Sequence, residues 1–283
     1  MKKVIGVVGY GLIGGSFGMA LKENTDNYII AIDNNKEVLN YVEKNNLADE
    51  VSNVNCTTVG KCDIIYIALY PDAIIDFLER FSSSFRKNTI VVDLCGIKHY
   101  IKENIDRLGN NDFYYIGAHP MAGKEKNGIM AACPDLYQGA SFLITKTEKT
   151  NPDALKTVEQ LARTVGFKNI IITDDINHDK MITYTSQLPH VMSVAYIMQE
   201  SHDKCYGYYA GSFKDMTRVA DINAMLWNQL FKHNKEILTS QIDEYINALE
   251  NIRDCINSDG NELLELLNKS KLLKEWQDEN YKY

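Results

Sequence analysis

Val4-Ile5-Gly6-Val7-Val8-Gly9-Tyr10-Gly11-Leu12-Ile13-Gly14 is a short apolar run that passes directly into G-x-G-x-x-G. Such a run reads as a buried β-strand, and the glycines after it read as a tight turn into a helix. Gly9 permits the turn, and Gly11 lets the backbone approach a pyrophosphate. Gly14 lets the helix pack close to the strand it follows. Leu12 and Ile13 open that helix, whose unpaired N–H groups and positive dipole suit phosphate. A second strand, Tyr28–Ile32, delivers Asp33 about 20 residues on, where a carboxylate can accept hydrogen bonds from ribose hydroxyls. The same carboxylate repels a 2′-phosphate, and Asn34-Asn35 supplies no arginine to hold one. NAD is therefore the expected cofactor.

Outward from this motif, β-rich runs recur at Ile64–Leu69, Thr89–Val92, Tyr114–Ala118, Ser141–Thr145 and Asn169–Ile172. Helical patterns lie between several of them, as at Lys36–Asn45 and Asp72–Phe81, and Asn151-Pro152 opens another that ends at Gly166. Alternation of this kind predicts parallel strands joined by helical crossovers, an α/β fold with an N-terminal Rossmann-type doubly wound domain over residues 1–173. Beyond Thr173 no strand-like alternation remains, and residues 174–283 read as an all-α domain. Apolar residues at 231, 238, 242, 245, 249, 252 and 256 form one stripe on a long helix, followed by a leucine-rich helix over Leu263–Trp276. The stripe fits either an intramolecular helical core, covered for instance by Leu263–Trp276, or a dimer interface; its length for so small a domain favours the second, a helical substrate and dimerisation domain and a homodimer.

The bulk numbers are those expected of a soluble globular protein and argue against other classes. Apolar content of 45% and charged content of 24% are ordinary for a globular chain of 283 residues. A net charge of −8 argues against a nucleic-acid partner. The run from Met1 to Leu21 carries too many glycines for a secretory signal, and no other stretch approaches membrane-spanning length. Six scattered cysteines make no C-x-x-C pair and no zinc-spaced cluster, so neither disulfides nor a metal is expected, and a reducing cytoplasm is.

Ligands of open α/β sheets bind beyond the carboxyl ends of the strands. Leu69-Tyr70-Pro71, Asp93-Leu94-Cys95-Gly96-Ile97-Lys98 and His119-Pro120-Met121-Ala122-Gly123 fall at such ends. The first is expected to border the cofactor. His119 is held extended by Pro120 and is the candidate acid–base group.

The chain resembles the prephenate/arogenate dehydrogenase family. His119 through Gly128 (H-P-M-A-G-K-E-K-N-G) matches the family's H-P-[IM]-A-G-x-E-x-x-G signature. Ser186-Gln187-Leu188-Pro189-His190 resembles its S-x-L-P-H helix, and Gly211 through Ala220 is similar to its G-x-F-[KR]-D-x-T-R-[IV]-A segment. Trp227 and Asn234 fall at the family's spacing after Arg218. The resemblance implies NAD-dependent oxidative decarboxylation of prephenate, a small dianion, with His119 accepting the hydroxyl hydrogen and Arg218 gripping a carboxylate. His190, Gln187, Gly211 and Trp227 complete the implied substrate site. Glu125 and Asp215 are candidates to hold Arg218, and Lys98 and Lys214 are further cations. Two departures stand out: Gly96 occupies the place of a serine in many members, and Gln187 that of a histidine. Arogenate is accordingly an alternative substrate. A catalytically degenerate NAD sensor is a reading from another class, although a sensor needs neither His119 nor Arg218. Neither a fused mutase nor a separate regulatory domain is expected.

Overall fold

The computed structural model describes residues 2–109, 112–124 and 126–281. The chain divides into two compact units, Met1–Lys235 and Glu236–Tyr283. Residues 1–235 hold an eight-stranded sheet in the order β3-β2-β1-β4-β5-β6-β7-β8. Its strands are β1 (Val4–Val8), β2 (Tyr28–Ile32), β3 (Glu50–Ser52), β4 (Ile64–Ile67), β5 (Ile90–Asp93), β6 (Tyr114–Pro120), β7 (Ser141–Thr145) and β8 (Asn169–Thr173). Helices α1 (Leu12–Asn24), α2 (Lys36–Lys44), α3 (Cys56–Val59), α4 (Pro71–Phe81), α5 (His99–Arg107) and α6 (Pro152–Val165) alternate with them.

The near-continuous apolar strands are explained by burial on both faces. Ile5, Val7, Ile64 and Tyr66 pack with Phe17 of α1 and with Val158 and Ala162 of α6. Their neighbours Val8, Ile65 and Ile67 point the other way, onto Ile74 and Leu78 of α4 and Ile101 of α5. The period of two therefore sends alternate residues to two helical layers, and the domain is doubly wound. Helix α6 has the ends expected of it: Asn151 accepts from the N–H groups of Asp153 and Ala154, and Gly166 closes it at φ +115°.

Two strand expectations need correction. The sheet is parallel except at β6–β7, where Gly117 to Pro120 pair antiparallel with Phe142 to Thr145. Strand β7 follows two short 3₁₀ turns rather than a full crossover helix, so it returns in the opposite direction. Strand β3 was not anticipated, because three half-buried residues carry too short a pattern to read.

Four more helices complete this unit: α7 (Asp175–Ile182), α8 (Leu188–Ile197), α9 (Gly211–Thr217) and α10 (Ala224–His233). Residues Thr183–Gln187 between α7 and α8 form a π-helical turn. Pro189 lacks an N–H and cannot extend regular α-helical bonding backward, and the wider turn absorbs that mismatch. Among the described residues all six cysteines are free thiols, and no helix is long and apolar enough to cross a membrane.

Residues 236–283 contain most of α11 (Lys235–Asn257) and all of α12 (Glu262–Asn280). The expected single helix from Phe231 to Ile256 is interrupted at Asn234, so Phe231 belongs to α10. The reason is a buried side-chain demand: the Asn234 amide donates to Thr183 Oγ1 at 2.7 Å and to Gln187 Oε1 at 2.9 Å. Leu249 and Ile256 on α11, and Leu264, Leu267, Leu272 and Trp276 on α12, are exposed in the single chain. These exposed side chains leave apolar surface on both helices for association.

Candidate active site

A cavity of about 520 Å³ opens beyond the carboxyl ends of β1, β4, β5 and β6, and α8 and α10 close its far side. It gathers Leu12, Ile13, Leu69 and Tyr70 with His119, Gln187, His190, Arg218 and Trp227. Gly9, Gly11, Gly14, Asp33 and Pro71 do not line it, and neither do Asp215 and Lys214. Gly211 does not line it either; it begins α9, so its expected contact with substrate is not borne by the geometry. Glu125 lies outside the described residues.

The glycine turn has the features a pyrophosphate requires. Gly9 sits at φ +84°, and a Cβ there would come within 2.5 Å of the Ala68 carbonyl oxygen. A Cβ on Gly14 would collide with the Gly9 carbonyl, so helix and strand approach as closely as expected. A Cβ on Gly11 would meet nothing within 4 Å, which leaves an open cradle at the start of α1. No side chain caps that helix, and its first N–H groups are available to an anion. Asp33 is fixed beside the turn, its oxygens accepting from Tyr10 N and Asn35 N at 2.8 Å each. Each oxygen keeps a further lone pair for a ribose hydroxyl. These residues fit a dinucleotide.

His119 lies near the end of β6, past Gly117, where pairing with β5 stops. Beneath it is a buried polar cluster. Lys98, fully buried, donates to the Asp93 carboxylate and to the Ala118 carbonyl at 2.6 Å. Tyr115 donates to the other Asp93 oxygen at 2.6 Å. A buried ammonium is tolerable only when paired and hydrogen-bonded in this way. Lys98 is thus committed to bracing the ends of β5 and β6, and the expectation that it faces substrate is corrected.

The ring of His119 meets a residue the sequence reading missed. His119 Nδ1 lies 3.0 Å from His178 Nε2, and His178 Nδ1 lies 2.7 Å from Asp179 Oδ1. The available signal was the adjacent His-Asp pair on the first helix after the last strand. Burial holds His119 well below the ordinary histidine value of 6.5, and the charges of His178 and Lys98 add to the depression. His178 is lowered by burial as well, against the opposing hydrogen bond to Asp179.

On the opposite wall, His190 stacks on Trp227 with ring centres 3.8 Å apart, and its Nδ1 is 2.8 Å from the Ser186 carbonyl. That bond fixes Nδ1 as donor and turns Nε2 outward. Burial lowers this histidine too, and the neighbouring Arg218 charge acts in the same direction. Gln187, 1% exposed, accepts from Asn234 at 2.9 Å and from Thr183 at 3.4 Å. Its Nε2 has no partner among the described residues. A buried amide donor left unpaired at a cavity wall is a demand for an acceptor on the ligand.

Residues 17–171 match the family model described as prephenate dehydrogenase, nucleotide-binding domain, and residues 174–269 match that described as prephenate dehydrogenase, dimerization domain. The chain belongs to the prephenate dehydrogenase family. It is an oxidoreductase of that family and carries the family's dimerisation domain. It is 26% identical to the prephenate dehydrogenase of Bacillus subtilis over 285 residues, spanning 98% of this chain and 76% of that one. It is 28% identical to the cyclohexadienyl dehydrogenase of Zymomonas mobilis over 278 residues, 95% of this chain and 94% of the other. Among solved structures it is similar to the prephenate dehydrogenase of A. aeolicus, in complex with hydroxyphenyl propionate and NAD+. That likeness has a TM-score of 0.88 at 25% identity and covers 98% of this chain and 99% of the other.

The serine that many members of the prephenate dehydrogenase family carry at Gly96 has room here. A Cβ on Gly96 would lie 3.6 Å from Leu230 and 3.8 Å from His119 Nε2, ordinary contact distances. Gly96→Ser should therefore fold and gain about 0.4–1 kcal/mol, the usual return for restricting a compatible glycine. Urea titration measures it; a net loss would mean that the Leu230 wall does not yield.

Proposed function

We propose that this chain catalyses NAD-dependent oxidative decarboxylation of prephenate to 4-hydroxyphenylpyruvate and CO2. The observation that carries the reading is the convergence of His119, Arg218 and the unpartnered Gln187 amide on one cavity beside the glycine turn. Gly9, Gly11, Leu12, Ile13 and Gly14 would hold the pyrophosphate side of NAD, Asp33 the adenosine ribose, and Leu69, Tyr70 and Pro71 the inner edge. When bound, NAD supplies the acceptor for the hydrogen and electron pair leaving the hydroxyl-bearing ring carbon.

His119 takes the hydroxyl proton at Nε2 as the C–H bond breaks. Loss of CO2 returns an electron pair to the ring, and the same imidazole gives the proton back to the phenolic oxygen. The residues therefore hold one proton in transit and release none to solvent. Arg218 binds a carboxylate with its planar fork, His190 and Trp227 shape the far wall, and the apolar lining excludes water. The unpaired Gln187 N–H suits an oxygen acceptor on the substrate side chain and offers nothing to an ammonium group. This favours the keto acid over arogenate. We assign residues 1–173 to nucleotide binding and 174–283 to substrate binding and pairing of two copies, a division supported by the limits of the two matched models, 17–171 and 174–269.

Steady-state rates with prephenate and arogenate, each with NAD and NADP, test the proposal. Prephenate with NAD should give the highest kcat/KM; a preference for arogenate or for NADP would overturn that part of the reading. The acid limb of kcat/KM should lie below pH 6.5, since burial depresses His119 and protonation abolishes its acceptor. The sign for stability is the same. The unfolded chain takes up protons at its ordinary histidines near 6.5 while buried His119 and His178 resist, so stability falls as pH drops below that value. A pH profile with its acid limb above 6.5, or a melting point indifferent to pH in this window, contradicts the assignment.

A further inference from the structure

Asp179 stands at the root of the histidine pair, and every hydrogen bond its carboxylate makes is as an acceptor. Its Oδ1 accepts Lys98 N at 2.8 Å, and its Oδ2 accepts His99 N at 2.9 Å. These are the N-cap and first-turn amides of α5, a helix with no side-chain cap of its own. Asp179 supplies that cap from α7, and both of its oxygens are thereby fixed as acceptors. The proton shared between Asp179 Oδ1 and His178 Nδ1 must then sit on His178. A neutral His178 carrying hydrogen on Nδ1 presents a bare Nε2. Facing it at 3.0 Å is His119 Nδ1, which can only donate. His119 is left with a bare Nε2, which with Cε1 lies 3.8 Å from where a Cβ on Gly96 would sit, and both residues line the cavity.

We propose that His178 and Asp179 are positioning residues that set the tautomer of His119, so that its Nε2 faces the substrate hydroxyl as an acceptor. The inference rests on the reaction proposed above but concerns residues which that reading does not use. The arrangement has a built-in reference: the direction of every proton in it follows from two backbone N–H groups, which cannot reverse roles. Lys98 locks both ends, its backbone N on Asp179 and its Nζ on the Ala118 carbonyl one residue before His119. His178 and Asp179 are each at most 2% exposed, so water does not compete for these bonds. When Nε2 takes the proton, the Nδ1–H bond to His178 persists and the ring cannot turn away. No oxidant or further group is needed, and the proton returns to the product oxygen by the same route.

Two substitutions separate positioning from bulk packing. In His178→Gln the side-chain oxygen can reach the former Nε2 position and still accept from His119. In His178→Leu, similar in size, nothing accepts. Turnover should fall about tenfold or more in the leucine variant with KM little changed, and the glutamine variant should recover most of it. A fully mis-set tautomer costs about ten-thousandfold in hydrolases that orient a histidine this way, which bounds the effect from above. Nitrogen-15 NMR of histidine in the protein alone provides a readout independent of activity. His119 should appear as the Nδ1–H form in wild type and in His178→Gln, and as a tautomer mixture in His178→Leu. An Nε2–H His119 in wild type, or equal turnover in the glutamine and leucine variants, overturns the proposal. If wild type converts neither prephenate nor arogenate, the proposed reaction fails while the NMR result still decides the tautomer; if the leucine variant does not fold, wild type and the glutamine variant decide it.

Discussion

In the His119→Asn variant, turnover is expected to fall by about a hundredfold or more, the usual scale for losing an acid–base group. The reason is local. Asparagine keeps a polar side chain at the end of β6 but cannot hold a proton between the two halves of the reaction. NAD affinity should barely change, because the glycine turn and Asp33 do not share a hydrogen bond with His119. The Michaelis constant should also change little, since the group acts on a bond that breaks in the transition state. Titration of NAD binding alongside steady-state kinetics reads both quantities. Turnover near wild type would remove His119 from the chemistry.

Arg218→Ala should show the reverse pattern. A guanidinium that meets a substrate carboxylate in a partly desolvated cavity is worth about 2–5 kcal/mol when truncated, so KM should rise roughly thirtyfold or more. Lysine should rescue only part of this, because a point charge does not reproduce the bidentate fork. The cavity wall supports the assignment: Arg218 lines the same space as His190 and acts on its charge state. If Arg218 serves only to hold its own helical turn, the alanine variant should lose melting temperature while KM stays close to wild type. Kinetics and a melting curve on one preparation distinguish the two. Together the His119 and Arg218 variants would resolve the site into a chemical wall and an anchoring wall.

Much of this was readable along the chain because it depends on local order. A strand, a glycine turn and a helix are neighbours in sequence, so the proposed nucleotide site can be read from residues 4–14 and Asp33. Proline after His119 and the capping pair at Asn151 and Gly166 are local for the same reason. The helical texture after Thr173 could be recognised from period alone, although its interruption at Asn234 could not. Local pattern favours one helix there; the buried bonds from Asn234 to Thr183 and Gln187, about fifty residues away, favour a break.

The sequence by itself determined the doubly wound class, the glycine turn between the first strand and helix, and the candidacy of His119, since each follows from periodicity or backbone chemistry over a few residues. Tertiary structure alone decided what His119 touches. His178 stands 59 residues away in sequence and Asp179 binds amides 80 and 81 residues away, separations at which no spacing rule operates. It also decided that Lys98 is a buried brace rather than a substrate cation, because burial and pairing are properties of the packed sheet. And it decided that the Gln187 oxygen is taken up by protein donors while its amide nitrogen is left unpaired among the described residues. An amide has two ends, and only the packing of Asn234 and Thr183 against one of them fixes which end is left unpaired.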